Sequence, residues 1–336
     1  MVFINSSENI IYIGGLEKSD RRRYILKMKS LCFAAILLVT GSAFGQSAYQ
    51  FLNLDVSAKE AALSGSALAR IDDPSAFYYN PALSVASGNR AVTFGFLKHV
   101  LDINGGYVFS TFQIPKEGYF GVGIGYLDYG SFAETDQAGN QIGTFGAGDA
   151  VLTLNYANYL GKNFSYGINL KGIYSSIASY NSSAVAIDAG LYYNFPDELL
   201  GVGVSVVNAG QQISTYDGIK EPLPFDFRIG VTKQLEHLPL ILNVALQRLG
   251  DPTLSLPEKL RSFVIGGEFL LSKNFHVLIG YNNLEHQQMK IGLNSGIEGL
   301  SFGVGVKFLG YAFDYSYSSW GARIGGLHRI NVTTSF

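Results

Sequence analysis

From residue 90 onward, bulky apolar residues recur at every second position of the chain. In KNFSYGINLKGIY, Phe164, Tyr166, Ile168 and Leu170 share one face, with Ser165, Gly167, Asn169 and Lys171 on the other. YFGVGIGYL sets Phe120, Val122, Ile124 and Tyr126 against Gly121, Gly123 and Gly125. SFGVGVKF sets Phe302, Val304, Val306 and Phe308 against Ser301, Gly303, Gly305 and Lys307. YAFDYSYS sets Tyr311, Phe313, Tyr315 and Tyr317 against Ala312, Asp314, Ser316 and Ser318. A repeat of two residues is the period of a strand, because successive side chains leave a strand on opposite sides.

Candidate strands cover 90–100, 104–114, 118–128, 147–158, 163–175, 183–195, 199–209, 225–235, 239–248, 260–270, 273–282, 287–295, 299–308, 310–318 and 324–336. The second face says what kind of strands these are. A soluble sandwich or solenoid, the competing reading, would turn its bulky face inward and charged residues outward. Here the face opposite the aromatics is glycine, serine, asparagine and an occasional Lys or Asp, which suits lipid outside and a crowded polar lumen inside. The expected fold is all-β: a transmembrane antiparallel outer-membrane β-barrel. A single-chain bacterial barrel needs an even strand number, so one of the 15 candidates must go. The alternation is weakest in 239–248 and 287–295, and 14 strands are expected. Closure into a barrel satisfies every backbone hydrogen bond without leaving an edge in lipid.

Three linkers stand out. Residues 129–146, YGSFAETDQAGNQIGTFG, carry a Gly-Asn turn between short aromatic runs and predict a protruding hairpin. Residues 210–224 and 249–259 are polar loops broken by Pro and Gly. The chain ends LHRINVTTSF, with Ile330, Val332, Thr334 and Phe336 on one face. A terminal aromatic in that pattern resembles the C-terminal strand signal by which the barrel-assembly machinery recognises outer-membrane barrels. The alternative is an ordinary edge strand ending in Phe.

The N-terminus adds a compartment. LKMKSLCFAAILLVTGSAFGQ has a basic start at Lys27 and Lys29, an apolar core from Leu31 to Val39, and small residues at Ala43 and Gly45. The core is too short for a spanning helix, so a secretory signal with cleavage after Gly45 is expected rather than a buried helix. Met28 is the expected start, with residues 1–27 an extension. The single cysteine, Cys32, falls inside the signal, so the processed chain has neither disulfide nor thiol nucleophile.

Composition agrees with strands: 40 glycines, 23 phenylalanines and 21 tyrosines against one tryptophan. After Gly45 there are 18 basic and 23 acidic residues, a net charge of −5, which is the wrong sign for nucleic-acid binding.

Candidate chemistry is sparse. The five histidines, His99, His237, His276, His286 and His328, form no i,i+4 pair and no His-Glu-x-x-His, so neither a metal site nor a cofactor is expected. The serines lack a G-x-S-x-G elbow, and GVGIG and GVGVS lie inside strand patterns, as spacing on the lumen side. Asp72 and Asp73 invite a carboxylate-pair reading; Asp-Asp-Pro is better read as a turn whose acids cap backbone N–H groups. EPLPFDF, residues 221–227, is either a binding loop or a strand entry, and Pro224 favours the second. Lys171, Lys307 and Asp314 sit on the polar face as candidates for a lumen ion-pair network, with pore selectivity the other use. No catalytic residue is expected, and the chain is read as a non-enzyme.

The stretch YQFLNLDVSAKEAALSGSALARIDDPSAFYYNPALS, ahead of the first strand, resembles the mature N-terminus of PorQ-family proteins, grouped with PorV and more distantly with the FadL transporter superfamily. The resemblance continues through DYGSFAETDQAGNQIGTFGAGD at 128–149, EPLPFDFRIGVTKQLEH at 221–237 and the terminal GGLHRINVTTSF. It implies a FadL-like barrel of the bacterial outer membrane over 90–336, with residues 46–89 folded inside as a hatch. Within that hatch, Asp72, Asp73, Pro74, Phe77, Tyr78, Tyr79, Asn80 and Pro81 form the motif: the acids cap, the aromatics pack on the inner wall, and Asn80-Pro81 redirects the chain. The implied role is a non-catalytic part of the type IX secretion system, in the complex that anchors cargo with a C-terminal signal domain on lipopolysaccharide. Implied partners are a PorZ-like surface protein, with PorU and PorV. The alternative is a FadL-like channel for hydrophobic small molecules.

Overall fold

The computed structural model describes residues 49–70, 72–86, 90–99, 103–289, 296–320 and 325–335. The expected signal segment, Cys32 and Phe336 lie outside the described residues. Fourteen antiparallel strands close into one barrel: β1 (Arg90–Lys98), β2 (Asn104–Ile114), β3 (Gly118–Thr135), β4 (Gln141–Tyr159), β5 (Phe164–Ile177), β6 (Tyr180–Phe195), β7 (Leu200–Ser214), β8 (Asp226–Gln234), β9 (Leu240–Leu246), β10 (Phe263–Leu270), β11 (Phe275–Asn282), β12 (Leu300–Phe308), β13 (Tyr311–Ser319) and β14 (Gly326–Ser335). Each strand pairs with its sequence neighbours, and β14 closes on β1 from Ala91↔Ser335 to Lys98↔His328.

Of the two weak segments, 239–248 contains β9, whereas Asn283–Met289 is helical and 290–295 lies outside the described residues. The reason is local. Asn282 Oδ1 accepts from the backbone N–H groups of Leu284 and Glu285 at 3.1 Å each, which caps a helical turn. The polar run Glu285-His286-Gln287-Gln288 has no apolar alternation to resist it. A second short helix, Leu256–Arg261, begins the return to β10 with a capping box between Ser255 and Glu258.

The alternation points as expected. On β3, Val122, Ile124 and Tyr126 face outward and the intervening glycines are buried; on β5, Ile168 and Leu170 face outward while Asn169 and Lys171 are buried. The inner face departs from the small-or-polar rule at Tyr107 and Phe109 on β2, both buried. Gly95 and Gly123 stand opposite them in register, and a Cβ at either would overlap the ring. The wall is uneven in height: β3 and β4 run 18 and 19 residues, β9 only seven. Among the described residues, no helix is long and apolar enough to cross a membrane.

Candidate functional site

The lumen is filled by the chain's own N-terminal segment. A 3-10 turn (Gln50–Asn53), a helical turn (Ala58–Ala62) and two further 3-10 turns (Pro74–Tyr78 and Pro81–Ala86) lie inside the barrel, and nearly every side chain from Ser57 to Val85 is buried. Irregular backbone in a lumen leaves N–H and C=O groups that need partners. The wall supplies them from its inward polar positions. Asn169 Nδ2 donates to Phe77 O (2.8 Å), Asn155 Nδ2 to Pro81 O (3.0 Å), Ser165 Oγ to Ala82 O (3.1 Å) and Arg329 Nε to Asp55 O (2.7 Å). Asn331 both accepts from Ala58 N (3.1 Å) and donates to Ser57 Oγ (3.2 Å).

Inward glycines let the hatch approach the strands closely. A Cβ on Gly203 would run into Leu68 O, one on Gly167 into Pro81 O, and one on Gly280 would lie 2.5 Å from the Leu63 carbonyl carbon. The glycine face of the strand repeat therefore serves backbone-to-backbone packing rather than an open bore.

The two acids of the hatch motif separate. Asp73 caps the turn at Pro74–Tyr78, accepting from Ser75 N (2.8 Å), Ser75 Oγ (2.7 Å) and Ser57 Oγ (2.7 Å). Asp72 does not cap. It pairs with the buried cations Lys59 (2.5 Å) and Arg70 (2.5 Å). Phe77 meets Phe109 edge-on at 5.5 Å between ring centres, and Tyr78 meets the same ring at 5.7 Å. Tyr79 turns back into the hatch, its hydroxyl accepting from Val56 N (2.9 Å) and Ser57 N (3.2 Å). Asn80 is the staple: Nδ2 donates to Leu68 O (3.0 Å) and Leu191 O (3.2 Å), while Oδ1 accepts from Ala82 N (3.1 Å) as Pro81 starts the next turn.

Two ionic clusters hold hatch and wall together. Lys171 pairs with Asp188 (2.8 Å), donates to Asn208 Oδ1 (2.9 Å) and lies 4.4 Å from the Tyr78 ring centre. In the second, Arg70 pairs with Glu268 on β10, and Lys59 lies 3.8 Å from the same carboxylate. His276 on β11 bridges Glu268 (3.8 Å) and Asp314 on β13 (3.1 Å). Lys307 shares the inward parity but is exposed at the short-turn rim, where it lines a cavity of about 380 Å³ with Asp72, Asn274 and Tyr311. Glu60 is buried with Oε2 unpartnered among the described residues; burial, with Asp55 and Asp73 adding to it, pushes its carboxyl up to about 8.

Lys59, Arg70, Glu268 and His276 were not singled out by sequence reasoning. For Glu268 and His276 the available signal was their place on the inner parity of their strands, as in Phe263–Leu270, where Glu268 interrupts an otherwise apolar and glycine strand; Lys59 and Arg70, in the irregular hatch, carry no such signal. Leu223 is buried at the mouth and Pro224 O accepts from Asn208 Nδ2 (3.1 Å), so EPLPFDF leads directly into β8. Ile330, Val332 and Thr334 lie on the outward side of β14, paired with both β13 and β1. No group of three or more His, Cys, Asp or Glu that could hold a metal occurs among the described residues.

A closed 14-strand barrel with a lipid-facing apolar band and an N-terminal segment inside it defines a FadL-like outer-membrane protein. The chain belongs to the family of type IX secretion system membrane proteins PorP/SprF, whose model matches residues 74–334. The family is non-enzymatic. The match is to PorP/SprF and does not single out the PorQ family that the motifs resemble. Among solved structures, the toluene transporter TbuX of Ralstonia pickettii is 13% identical with a TM-score of 0.57, over 83% of this chain and 98% of that one. The toluene transporter TodX of Pseudomonas putida is 13% identical with a TM-score of 0.57, over 88% and 99%. A FadL homologue of Pseudomonas aeruginosa is 11% identical with a TM-score of 0.50, over 84% and 98%. At such identities the likeness is one of fold. No curated protein matches the chain in sequence.

Proposed function

We propose that this chain is a PorQ-type outer-membrane scaffold of the type IX secretion system, acting in the surface complex that anchors cargo on lipopolysaccharide. It docks a PorZ-like surface protein and works alongside PorU and PorV. The observation that carries this reading is the filled lumen: a bore packed by the hatch leaves the rims as the working surfaces. The motif series at 128–149, 221–237 and the C-terminus supports the same choice. In this reading, Lys171 and Asp314 are members of structural ion-pair networks, Lys307 marks the short-turn rim, and the β14 pattern ending in Phe336 addresses the barrel-assembly machinery. A clean deletion should release cargo unanchored into the medium; normal anchoring in that strain would refute the role.

The channel alternative draws on the shared fold with hydrocarbon transporters. It needs an apolar path through the wall or lumen; the hatch fills the lumen, and the inner wall interrupts its apolar residues with Asn155, Asn169, Asp188, Arg228 and Glu268. Unchanged uptake of a hydrophobic probe such as toluene on deletion would count against it.

A further inference from the structure

Strands β3 and β4 outrun their neighbours. Pairing of β2 with β3 ends at Asp128 and pairing of β4 with β5 ends at Ala147, yet β3 continues to Thr135 and β4 begins at Gln141. The excess forms a two-stranded ribbon about 20 Å long on the rim opposite the short turns, the cell-surface side of such barrels. Two-stranded ribbons in water are marginal, but this one is held at both ends. At its base, Tyr129 Oη donates to Asp149 (2.6 Å), and Asp149 is bonded to Ser175, which is bonded to Tyr216. At its tip, Asp136 accepts from Ala138 N (2.9 Å), Asn140 N (2.8 Å) and Asn140 Nδ2 (3.0 Å). Between them Phe132 and Phe145 stack at 5.5 Å.

Among the described residues the β3 edge of this ribbon is uncovered, and the β4 edge carries one bond at its base. Ala178 N donates to Gly146 O (3.0 Å), so the backbone groups of Gly146 point away from β3. Antiparallel alternation then turns the N–H and C=O of its partner Ser131, and of the pair Ala133↔Thr144, outward as well. On the β3 side, no strand covers Ser131 or Ala133 among the described residues. Natural edges are normally guarded by lysine, proline or a covering element. Residues 129–146 contain neither, and their only charges are Glu134 and Asp136. An ordered, uncovered edge with acidic side chains suits a complementary basic strand.

We propose that the β3 edge at residues 131–135 takes up an extended basic segment of a partner protein as an added strand. Main-chain hydrogen bonds to Ser131 and Ala133 supply the pairing; Glu134 and the Phe132–Phe145 stack share one face and select a segment whose basic residues all fall on that face, their aliphatic stems over the rings, with apolar residues on the other. The inference deepens the docking role proposed above and rests on it for the cellular setting.

The test uses the purified full-length barrel in detergent with two synthetic peptides, one alternating Lys and Val, the other alternating Glu and Val. The Lys peptide should slow amide exchange at Ser131 and Ala133 by about ten-fold, and the Glu peptide by less than about two-fold. The variant Ser131→Pro, which removes one donor of the edge, should lose the protection at Ala133 while keeping the heat-modifiable migration of a folded barrel. Glu134→Lys, which leaves the ladder intact, should reverse the preference between the peptides. Protection by neither peptide, equal protection by both, or protection elsewhere than this edge would overturn the proposal. Because the experiment contains no secretion machinery, it can fail while cargo anchoring still depends on the protein, and the reverse.

Discussion

The hatch and the β3–β4 ribbon both lie outside the repeating wall and are built on opposite principles. The hatch has irregular backbone and borrows its hydrogen bonds from the wall, through Asn155, Asn169, Ser165, Arg329 and Asn331. The ribbon satisfies itself through its own ladder and its capped tip, and touches the rest of the protein at its base. A segment that borrows its hydrogen bonds is bound to the stability of the lender. A segment that is self-sufficient can open, or accept a partner, at little cost to the barrel.

The sharpest way to break this contrast is to remove the acid that the hatch cations share. Glu268→Ala leaves Arg70 and Lys59 facing the lumen with Asp72 as their remaining close carboxylate. A loss of about 3 kcal/mol or more is expected in urea unfolding of the barrel in lipid vesicles. A change below about 1 kcal/mol would mean that hatch and wall are not coupled through this cluster. Asn80→Ala comes next. It removes bonds to Leu68, Leu191 and Ala82 and strands buried backbone groups, costing about 1–3 kcal/mol by the same measurement.

Glu60→Gln probes the hatch through pH. The Glu60 carboxyl is raised to about 8 in the folded chain, so the folded state holds a proton that the unfolded state has already released. Stability should therefore fall as pH rises from the ordinary glutamate range to about 8, and level off above it. In the glutamine variant that slope should be absent, and the variant's advantage over wild type should be greatest at pH 8 and above. An unchanged slope would exclude Glu60 as its source.

The smallest expected effect belongs to the ribbon. Phe132→Ser with Phe145→Ser disrupts a stack of one exposed and one half-buried ring beyond the barrel wall, so barrel unfolding should shift by no more than about 0.5 kcal/mol. A shift comparable to that of Asn80→Ala would show the ribbon to be part of the barrel's cooperative unit and erase the contrast. Anchoring of cargo in the same variant should decline if the ribbon is a docking element.

Much of this molecule was legible because strand period writes lipid-facing and lumen-facing positions alternately into the chain. The wall, its strand number, the protruding hairpin at 129–146 and the strand entry at Pro224 all follow from residues a few positions apart. At Asn283–Met289 a local cap at Asn282, which a strand template does not contain, set a helical turn. Asp72 and Asp73 illustrate the limit. They are adjacent and chemically alike, yet one caps a turn through Ser75 and the other pairs with Lys59, 13 positions away, and with Arg70.

By itself, then, the sequence determined that the chain would cross a membrane as strands, because apolar periodicity is a local property carried by neighbouring residues. Tertiary structure alone decided which wall groups hold the hatch and which acids meet which bases. Glu268 reaches Lys59 and Arg70, and Asn331 reaches Ser57, across more than 190 intervening residues. Such meetings depend on barrel closure and strand stagger, which set the height of every inward side chain.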